Sequence, residues 1–227
     1  METTLHQQLK AWYSPDASLY EQQLGSYRID VLESDRVIEI QCSSLAAIRD
    51  KIRTLSASHD VTLVKPVIRR RMIQRQRYSQ VLGRRLSPKV GDWLDVFEEF
   101  VHFVTVFPQP RLTLDLVMVD VEEIRRPPRR RCRKGYRVED RKLLEVVETR
   151  SLRSGADLYS LLPAPLPQRF TTADIAKTLQ QPRWVAQKIA YCLRECDAAG
   201  VVGKIGNAIQ YERTDDIADR PGCDVAA

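Results

Sequence analysis

The sequence predicts an α/β protein, with a mixed sheet flanked by helices and then a small helical domain that carries a hairpin. Segments with helix or strand periodicity follow one another as helix, hairpin, helix, strand, helix, strand through about residue 121. A proline-rich stretch at residues 161–167 then interrupts the chain. Two helical segments and a second hairpin follow it. We therefore expect two domains, residues 1–160 and 169–227, joined by a linker at residues 161–168.

Breakers and caps mark the elements of the first domain. Residues 5–24 are expected to be helical with a break near Pro15, because proline disfavours helix in the residue before it. Ser43 or Ser44 can cap the next helix. A basic excursion at residues 72–91 is expected to form a hairpin that turns at Gly83. The remaining predicted elements are a hairpin at 27–42, helices at 45–55 and 92–106, strands at 61–68 and 111–121, and strand-like or mixed structure at 137–147.

Composition and cysteine usage are those of a soluble intracellular protein. The chain of 227 residues is 43% hydrophobic and 29% charged. Its sequence contains no apolar run near the ~20 residues that cross a membrane, and its first ten residues lack the apolar core of a secretory signal. Five irregularly spaced cysteines favour a reducing, cytoplasmic location. Cys192 and Cys196 have helical spacing, but no second Cys/His pair completes a zinc set, so we expect them to pack in a core.

Two carboxylates stand out in the first hairpin, which reads RIDVLESDRVIEIQCSS from Arg28 to Ser44. A turn at residues 33–36 puts Asp30 directly opposite Glu39, where like charges on paired strands are destabilising. A divalent cation would cancel this repulsion, since hard cations bind carboxylate oxygens. Gln41 follows two residues later on the same face. The alternative is that both carboxylates are solvated on an exposed sheet face.

The motif of Asp30 followed by Glu39-Ile40-Gln41 resembles the PD-(D/E)XK nuclease superfamily, with Gln41 in place of the motif lysine. The resemblance implies a restriction-endonuclease-like fold and Mg²⁺- or Mn²⁺-dependent hydrolysis of DNA. It also implies that Asp30, Glu39 and the backbone carbonyl of Ile40 hold the metal ion, with Gln41 orienting water.

Two further residues enter the predicted catalytic set through the same resemblance. Glu21, placed on the helix before the hairpin, matches a position where some superfamily members add a carboxylate, although a surface glutamate is the commoner case. Lys65 on the neighbouring strand would replace the positive charge that Gln41 lacks. Because Gln41 weakens the motif, the open alternative is a non-catalytic DNA-binding or regulatory protein with a degenerate nuclease fold.

Basic residues are concentrated in two segments, which indicates a polyanionic partner. The formal net charge is +6, and no acidic residue occurs between Arg69 and Lys89. A second block reads RRPPRRRCRK from Arg125 to Lys134. We expect DNA to contact the first block, and the residues chosen for this role are Arg69, Arg70, Arg71, Arg84, Arg85 and Lys89.

The helix, turn, helix and hairpin of residues 168–213 resemble a winged helix-turn-helix domain. Thr171 or Thr172 can cap the first helix, Pro182 begins the second, and Gly206-Asn207 is a hairpin turn. In such a domain the second helix enters the DNA major groove. The residues expected to contact DNA are Arg183, Gln187, Lys188 and Lys204. Many winged helices bind protein instead, so a homodimer or a partner protein stays open.

The whole chain also looks like a family of uncharacterised bacterial proteins. The segments that carry this likeness are RRLSPKVGDWLDVFEEFV, LTLDLVMVDVEEIRR and RKGYRVEDRKLLEV. It implies no activity, so the functional expectation rests on the two resemblances above.

Overall fold

The expected mixed sheet is present in a computed structural model of the chain, which describes residues 3–128 and 135–214. The α/β class is confirmed, because the described residues form a seven-stranded mixed sheet with flanking helices and a separate three-stranded sheet. The chain divides into two compact units. The first unit comprises Met1–Asp92 and Arg111–Ser151, and the second comprises Trp93–Pro110 and Leu152–Ala227.

The large sheet contains both antiparallel and parallel pairs. The elements of the first unit are α1 (Thr4–Tyr13), β1 (Tyr20–Leu24), β2 (Tyr27–Leu32), β3 (Arg36–Ile40), α2 (Arg49–Ser56), β4 (Asp60–Arg77), β5 (Gln80–Leu86), β6 (Leu112–Arg126) and β7 (Arg137–Leu152). Strands β1, β2 and β3 are antiparallel, whereas β3, β4 and β6 are parallel. The strand order is β1-β2-β3-β4-β6-β7, and β5 pairs with β4.

Helix α1 packs on one face of this sheet. The Thr3 side chain accepts a hydrogen bond from the His6 N–H and so caps the helix start. Leu5 and Leu9, four residues apart, point in the same direction and are buried. They belong to one core cluster with strand residues Val31, Ile38, Ile40, Val64, Val117, Val119 and Val121. This packing brings the first turns of α1 next to β2 and β3.

The helix predicted over residues 5–24 is half correct. It ends at Tyr13, where Ser14 is extended before Pro15. Residues 20–24 are strand β1 instead of helix, because they pair with β2 from Tyr20–Val31 to Leu24–Tyr27. A neighbouring strand supplies hydrogen bonds that a local helix pattern does not reveal.

The basic excursion is a hairpin, as expected, but its turn lies earlier than Gly83. Strand β4 does not end near Ile68 and continues to Arg77, and Arg77 pairs with Gln80 across a two-residue turn. Tyr78 in that turn has φ 54°. Gly83 lies inside β5 opposite Arg75, next to a register shift. A glycine in a strand often marks such a bulge, which explains the misplaced turn.

The second unit contains the elements expected for residues 168–213, together with two short helices. They are α3 (Phe97–Phe100), α4 (Gly155–Tyr159), β8 (Arg169–Phe170), α5 (Thr172–Thr178), α6 (Arg183–Glu195), β9 (Ala199–Ile205) and β10 (Ala208–Arg213). Its three-stranded sheet has the order β8-β10-β9. Among the described residues, no helix is long and apolar enough to cross a membrane.

Local signals determine the ends of these elements. Thr171 and Asp174 form a reciprocal capping box at the start of α5. Helix α6 buries one face around Ile189 and Leu193. Gly206, with φ 59°, lies in the hairpin turn that joins β9 and β10. These elements follow the helix, turn, helix, hairpin order expected from the sequence.

Residues 93–110 belong to the second unit, whereas the sequence analysis assigned them to the first domain. Phe97, Phe100 and Phe103 are fully buried, and α3 contacts α6. The expected helix at 92–106 is also shorter, since only Phe97–Phe100 is α-helical. Valine and threonine between residues 101 and 106 lower helix propensity, and tighter turns replace the helix there. The unit boundary at residue 152 precedes the expected linker.

Candidate active site

The first hairpin brings Asp30 and Glu39 together at the point where β2 and β3 stop pairing. Val31 pairs with Ile38, so Asp30 and Glu39 are the next residues on the two strands and lie level with each other. Their side chains then bond to the backbone. The Asp30 N–H donates to Glu39 Oε1 at 3.4 Å, and the Ile40 N–H donates to Asp30 Oδ2 at 2.8 Å. Both carboxylates are thereby held between the separating strands.

Glu39 is the buried member of the pair, with a relative exposure of 2%. Burial, followed by the negative charge of Asp30, raises its pKa from 4.5 to about 7. The ammonium group of Lys51 lies 2.5 Å from Glu39 Oε1 and opposes this rise without cancelling it. Glu39 can therefore exchange a proton near neutral pH, as a general acid or base requires.

Asp30 is the charged member of the pair. Burial alone would raise its pKa, but a hydrogen bond with His6 and the Ile40 N–H hold that pKa below its ordinary value. His6 Nε2 lies 3.2 Å from Asp30 Oδ2, and the positive charge of Lys10 contributes further. Two neighbouring carboxyl groups whose pKa values are moved apart can take different chemical roles.

Glu21 lies on β1, so its predicted position on the preceding helix is wrong. The register of β1 with β2 nevertheless puts Glu21 level with Asp30, since Tyr20 pairs with Val31 and Gln22 with Ile29. Its carboxylate forms ion pairs with Lys10 and with Arg28, the latter at 2.6 Å. The acidic positions 21, 30 and 39 thus form a row across three neighbouring strands, and each has a cationic or histidine partner.

Gln41 and Lys65 lie beside this row, and both bond to Ser43. The Gln41 N–H donates to the Val64 carbonyl, which aligns Gln41 with Lys65 on the neighbouring strand. Gln41 Oε1 accepts from the Ser43 hydroxyl at 2.9 Å. The buried Lys65 ammonium donates to the Ser43 backbone carbonyl. These bonds direct both side chains toward the loop that follows β3.

Sequence reasoning missed His6, Lys10 and Lys51, which neutralise the carboxylates. His6 and Lys10 are four residues apart on α1, at the spacing of one helix face, and this was the available signal. Lys51 lies on α2, which connects β3 to β4. No local pattern relates Lys51 to Glu39, because their contact depends on how α2 packs.

The donor set fits a hard cation such as Mg²⁺. No three His, Cys, Asp or Glu side chains within residues 3–128 and 135–214 are grouped so that they could hold a metal ion. Mg²⁺ is often bound through one or two carboxylates, with water and substrate phosphate as its other ligands. Asp30 and Glu39 supply such a pair, and an ion between them would relieve the repulsion that raises the pKa of Glu39.

The arginines chosen from the first basic segment have different environments. Arg69 makes a two-pronged pair with Asp120 at 2.9 and 2.6 Å, and Arg84 contacts Glu122 at 2.6 Å. Arg70, Arg85 and Lys89 are exposed, whereas Arg71 is half-buried. Asp120 of β6 therefore neutralises Arg69 in this structure, and the contact of Arg69 with a polyanion stays a prediction. Residues 129–134 of the second basic block lie outside the described residues.

The second unit has a concave surface between α6 and the β9–β10 hairpin. Arg183, Gln187, Tyr191 and Arg194 follow one exposed face of α6 and line a cavity of about 420 Å³. Lys188 is half-buried, and its ammonium lies 4.9 Å from the centre of the Trp184 ring. On the hairpin, Lys204 is exposed.

Comparison with known proteins gives a family without a described activity. A protein of Treponema pallidum (strain Nichols), described as uncharacterized, is 33% identical over 184 residues, which cover 78% of this chain and 72% of the relative. No solved structure matches the chain significantly. The model of the family described as "Domain of unknown function (DUF8091)" matches residues 3–153, which include the whole carboxylate row. The chain therefore belongs to the DUF8091 family.

Proposed function

We propose that the first unit is a Mg²⁺- or Mn²⁺-dependent nuclease that hydrolyses phosphodiester bonds in DNA. The observation that carries this proposal is the level pair of Asp30 and Glu39, of which one is held charged and the other has a pKa of about 7. When bound, the ion would lower the pKa of a water ligand and stabilise negative charge on the scissile phosphate. The resemblance of the motif to PD-(D/E)XK nucleases supports the same reaction.

The residues around the pair have complementary roles in this proposal. Asp30, Glu39 and the Ile40 carbonyl hold the ion. His6 keeps the Asp30 carboxylate charged and oriented through its 3.2 Å contact. Lys51 would compete with an ion for Glu39, because its ammonium contacts Glu39 Oε1 at 2.5 Å.

The second unit, in the same proposal, is a winged helix that binds DNA. The order β8, α5, α6 and the β9–β10 hairpin supports this, as does the exposed row of Arg183, Gln187, Tyr191 and Arg194 on α6. Arginine and glutamine pair well with guanine and adenine edges in the major groove. Lys204 on the hairpin would contact the phosphate backbone.

A non-catalytic DNA-binding role is the second candidate, and a specific observation favours it. Gln41 accepts a hydrogen bond from the Ser43 hydroxyl, and Lys65 donates one to the Ser43 carbonyl, so both side chains are engaged by the loop that follows β3. A nuclease of this superfamily ordinarily has a lysine at the Gln41 position. Without a cation there, the carboxylate pair would serve to bind a metal or to stabilise the hairpin, and DNA binding would be the function.

Cleavage of plasmid, linear and branched DNA with Mg²⁺ or Mn²⁺ tests the proposal. The wild-type protein should cleave at least one of these substrates, and Asp30→Ala should abolish that cleavage while circular dichroism shows an intact fold. Asp35→Ala, on the exposed turn of the same hairpin, is the matched control and should cleave normally. Undiminished cleavage by Asp30→Ala would refute the site. DNA binding without cleavage by the wild type would favour the second candidate.

A further inference from the structure

The first unit contains a second charged site, which the carboxylate row does not explain. A cavity of about 350 Å³ lies between β4, β5 and the end of β6. Arg75, Arg85, Arg125 and Arg126 line it, and the ring of Tyr136 forms part of its wall. None of the described residues that line it is acidic.

Strand register explains why these arginines meet. Arg75 pairs with Arg125 in the parallel ladder of β4 and β6, and Arg85 pairs with Ile73 two residues before Arg75. Like charges at paired positions of neighbouring strands are destabilising unless something neutralises them. The site is the cationic counterpart of the Asp30–Glu39 pair on the same sheet.

Acidic residues in the described part of the chain neutralise two of the four arginines. Arg125 pairs with Glu123 at 2.7 Å, and Arg126 contacts Glu139 at 3.4 Å. Within the described ranges, no acidic side chain is within ion-pair distance of Arg75 or Arg85. Within the same ranges, the buried Arg126 Nε also has no hydrogen-bond partner. A ligand that accepts a hydrogen bond there would be stabilised, because a buried donor without a partner is unfavourable.

Tyr136 holds one of the guanidinium groups in place. The Arg125 guanidinium carbon lies 3.9 Å from the centre of the Tyr136 ring, which is a close cation–π contact. Arg125 Nε also donates to Glu123 Oε1 at 2.7 Å, so the ring and this carboxylate together fix the orientation of the guanidinium group. Ile73 and Leu82 complete the wall with apolar surface. The cavity therefore combines excess positive charge with a flat, partly apolar wall.

We propose that this cavity binds the phosphate group of a nucleotide unit, supplied by a nucleic-acid strand or by a free nucleotide. Arginine matches the geometry of phosphate oxygens through paired hydrogen bonds, and a flat apolar wall suits a sugar or base. This site goes beyond the proposed nuclease, because binding requires neither the Asp30–Glu39 pair nor a metal ion.

A matched pair of double variants tests the proposal by fluorescence anisotropy with labelled oligonucleotides in EDTA. Arg75→Gln with Arg85→Gln removes two charges from the cavity. Arg49→Gln with Arg53→Gln removes two from α2 on the same unit and is the control. The cavity variant should bind at least tenfold more weakly than the wild type, and the control should change by less than twofold. Each lost phosphate contact should also reduce the salt slope on duplex DNA by about 0.9.

Competition experiments separate the two sources of phosphate. If a deoxynucleoside monophosphate displaces the oligonucleotide from the wild type at micromolar concentration, the natural occupant is a free nucleotide. If only longer strands compete, the occupant is a nucleic-acid strand. Either result supports the phosphate site, provided that the competitor no longer displaces the oligonucleotide from the variant that carries Arg75→Gln and Arg85→Gln.

Three further comparisons distinguish specific binding in the cavity from general electrostatic attraction. Arg75→Lys with Arg85→Lys keeps both charges but loses the paired donors, so its affinity should lie between that of the wild type and that of the Gln variant. Equal losses in the cavity and control variants would overturn the proposal, since general electrostatics would then account for binding. Unchanged binding by the cavity variant would overturn it as well. If that variant does not fold, the single variant Arg85→Gln replaces it, since β5 is exposed. We expect this variant to bind the oligonucleotide at least threefold more weakly than the wild type.

Discussion

Glu39 should make the stability of the protein fall as pH rises, and Glu39→Gln should remove that effect. The folded-state pKa of about 7 exceeds the ordinary value of 4.5, so the folded chain binds the proton more tightly than the unfolded chain. For such a group, the stabilisation is fully present below pH 4.5 and is lost as pH rises through 7. A rise from 4.5 to about 7 corresponds to about 3 kcal/mol.

The measurement is the free energy of unfolding from urea denaturation, followed by circular dichroism without divalent ions. The quantity to compare is the difference between wild type and Glu39→Gln, because titrating groups that do not interact with Glu39 contribute equally to both proteins. This difference should change by about 3 kcal/mol between pH 4.5 and pH 8, in the direction that makes the variant relatively more stable at high pH. Glu33→Gln, on the turn of the same hairpin, is the control and should behave as the wild type.

A difference that does not vary with pH would refute the reasoning. It would mean that the Lys51 ammonium, 2.5 Å away, fully compensates the burial of Glu39 and its repulsion by Asp30. A difference that varies in the opposite direction would mean that Glu39 is stabilised as a charged group. Either result would also remove the argument that a cation relieves repulsion at this pair.

Three further predictions follow from the same structure. Calorimetry of Mg²⁺ binding near pH 7 should show proton release, because Glu39 is partly protonated at that pH and the ion displaces its proton. Equal heats of binding in buffers of different ionisation enthalpy would contradict this prediction. Arg69→Met should lower the unfolding midpoint in urea and leave DNA affinity unchanged, since Arg69 is committed to an ion pair; weaker DNA binding would be the contrary result. Gly155→Ala should destabilise the second unit by about 3 kcal/mol, because a Cβ there would lie 2.0 Å from the Cys196 carbonyl oxygen. Gly203→Ala, whose Cβ meets nothing closer than 3.8 Å, is its control and should unfold as the wild type does.

The parts of the site that the sequence predicted correctly depend on short-range rules. Alternating polarity and a four-residue turn determine the register of β2 and β3, and that register puts Asp30 level with Glu39. The same kind of signal, a capping threonine and a Gly-Asn turn, located α5 and the β9–β10 hairpin. These features need no knowledge of distant parts of the chain.

The parts that sequence reasoning missed depend on packing between distant segments. Asp120, which neutralises Arg69, is 51 residues away in the chain, so a run of arginines looked free when it was partly paired. Lys51 reaches Glu39 only because α2 packs against the sheet. The aromatic side chains of residues 93–110 are spaced as in a helix, but this spacing does not determine which of the two units they pack in.

The distance between the two charged sites predicts a minimum substrate length. Strand β4 pairs with β3 at Val64, beside the carboxylate pair, and reaches the arginine cavity at Arg75, eleven residues further along. At about 3.3 Å per residue this is at most about 36 Å, which corresponds to about 10 base pairs of duplex at 3.4 Å each. If one duplex occupies both sites, affinity and cleavage should rise sharply once the duplex exceeds about 10 base pairs. Arg75→Gln with Arg85→Gln should abolish that rise while Asp30→Ala leaves the rise in affinity intact. A gradual increase with length, equal in all variants, would mean that the two sites do not engage the same strand.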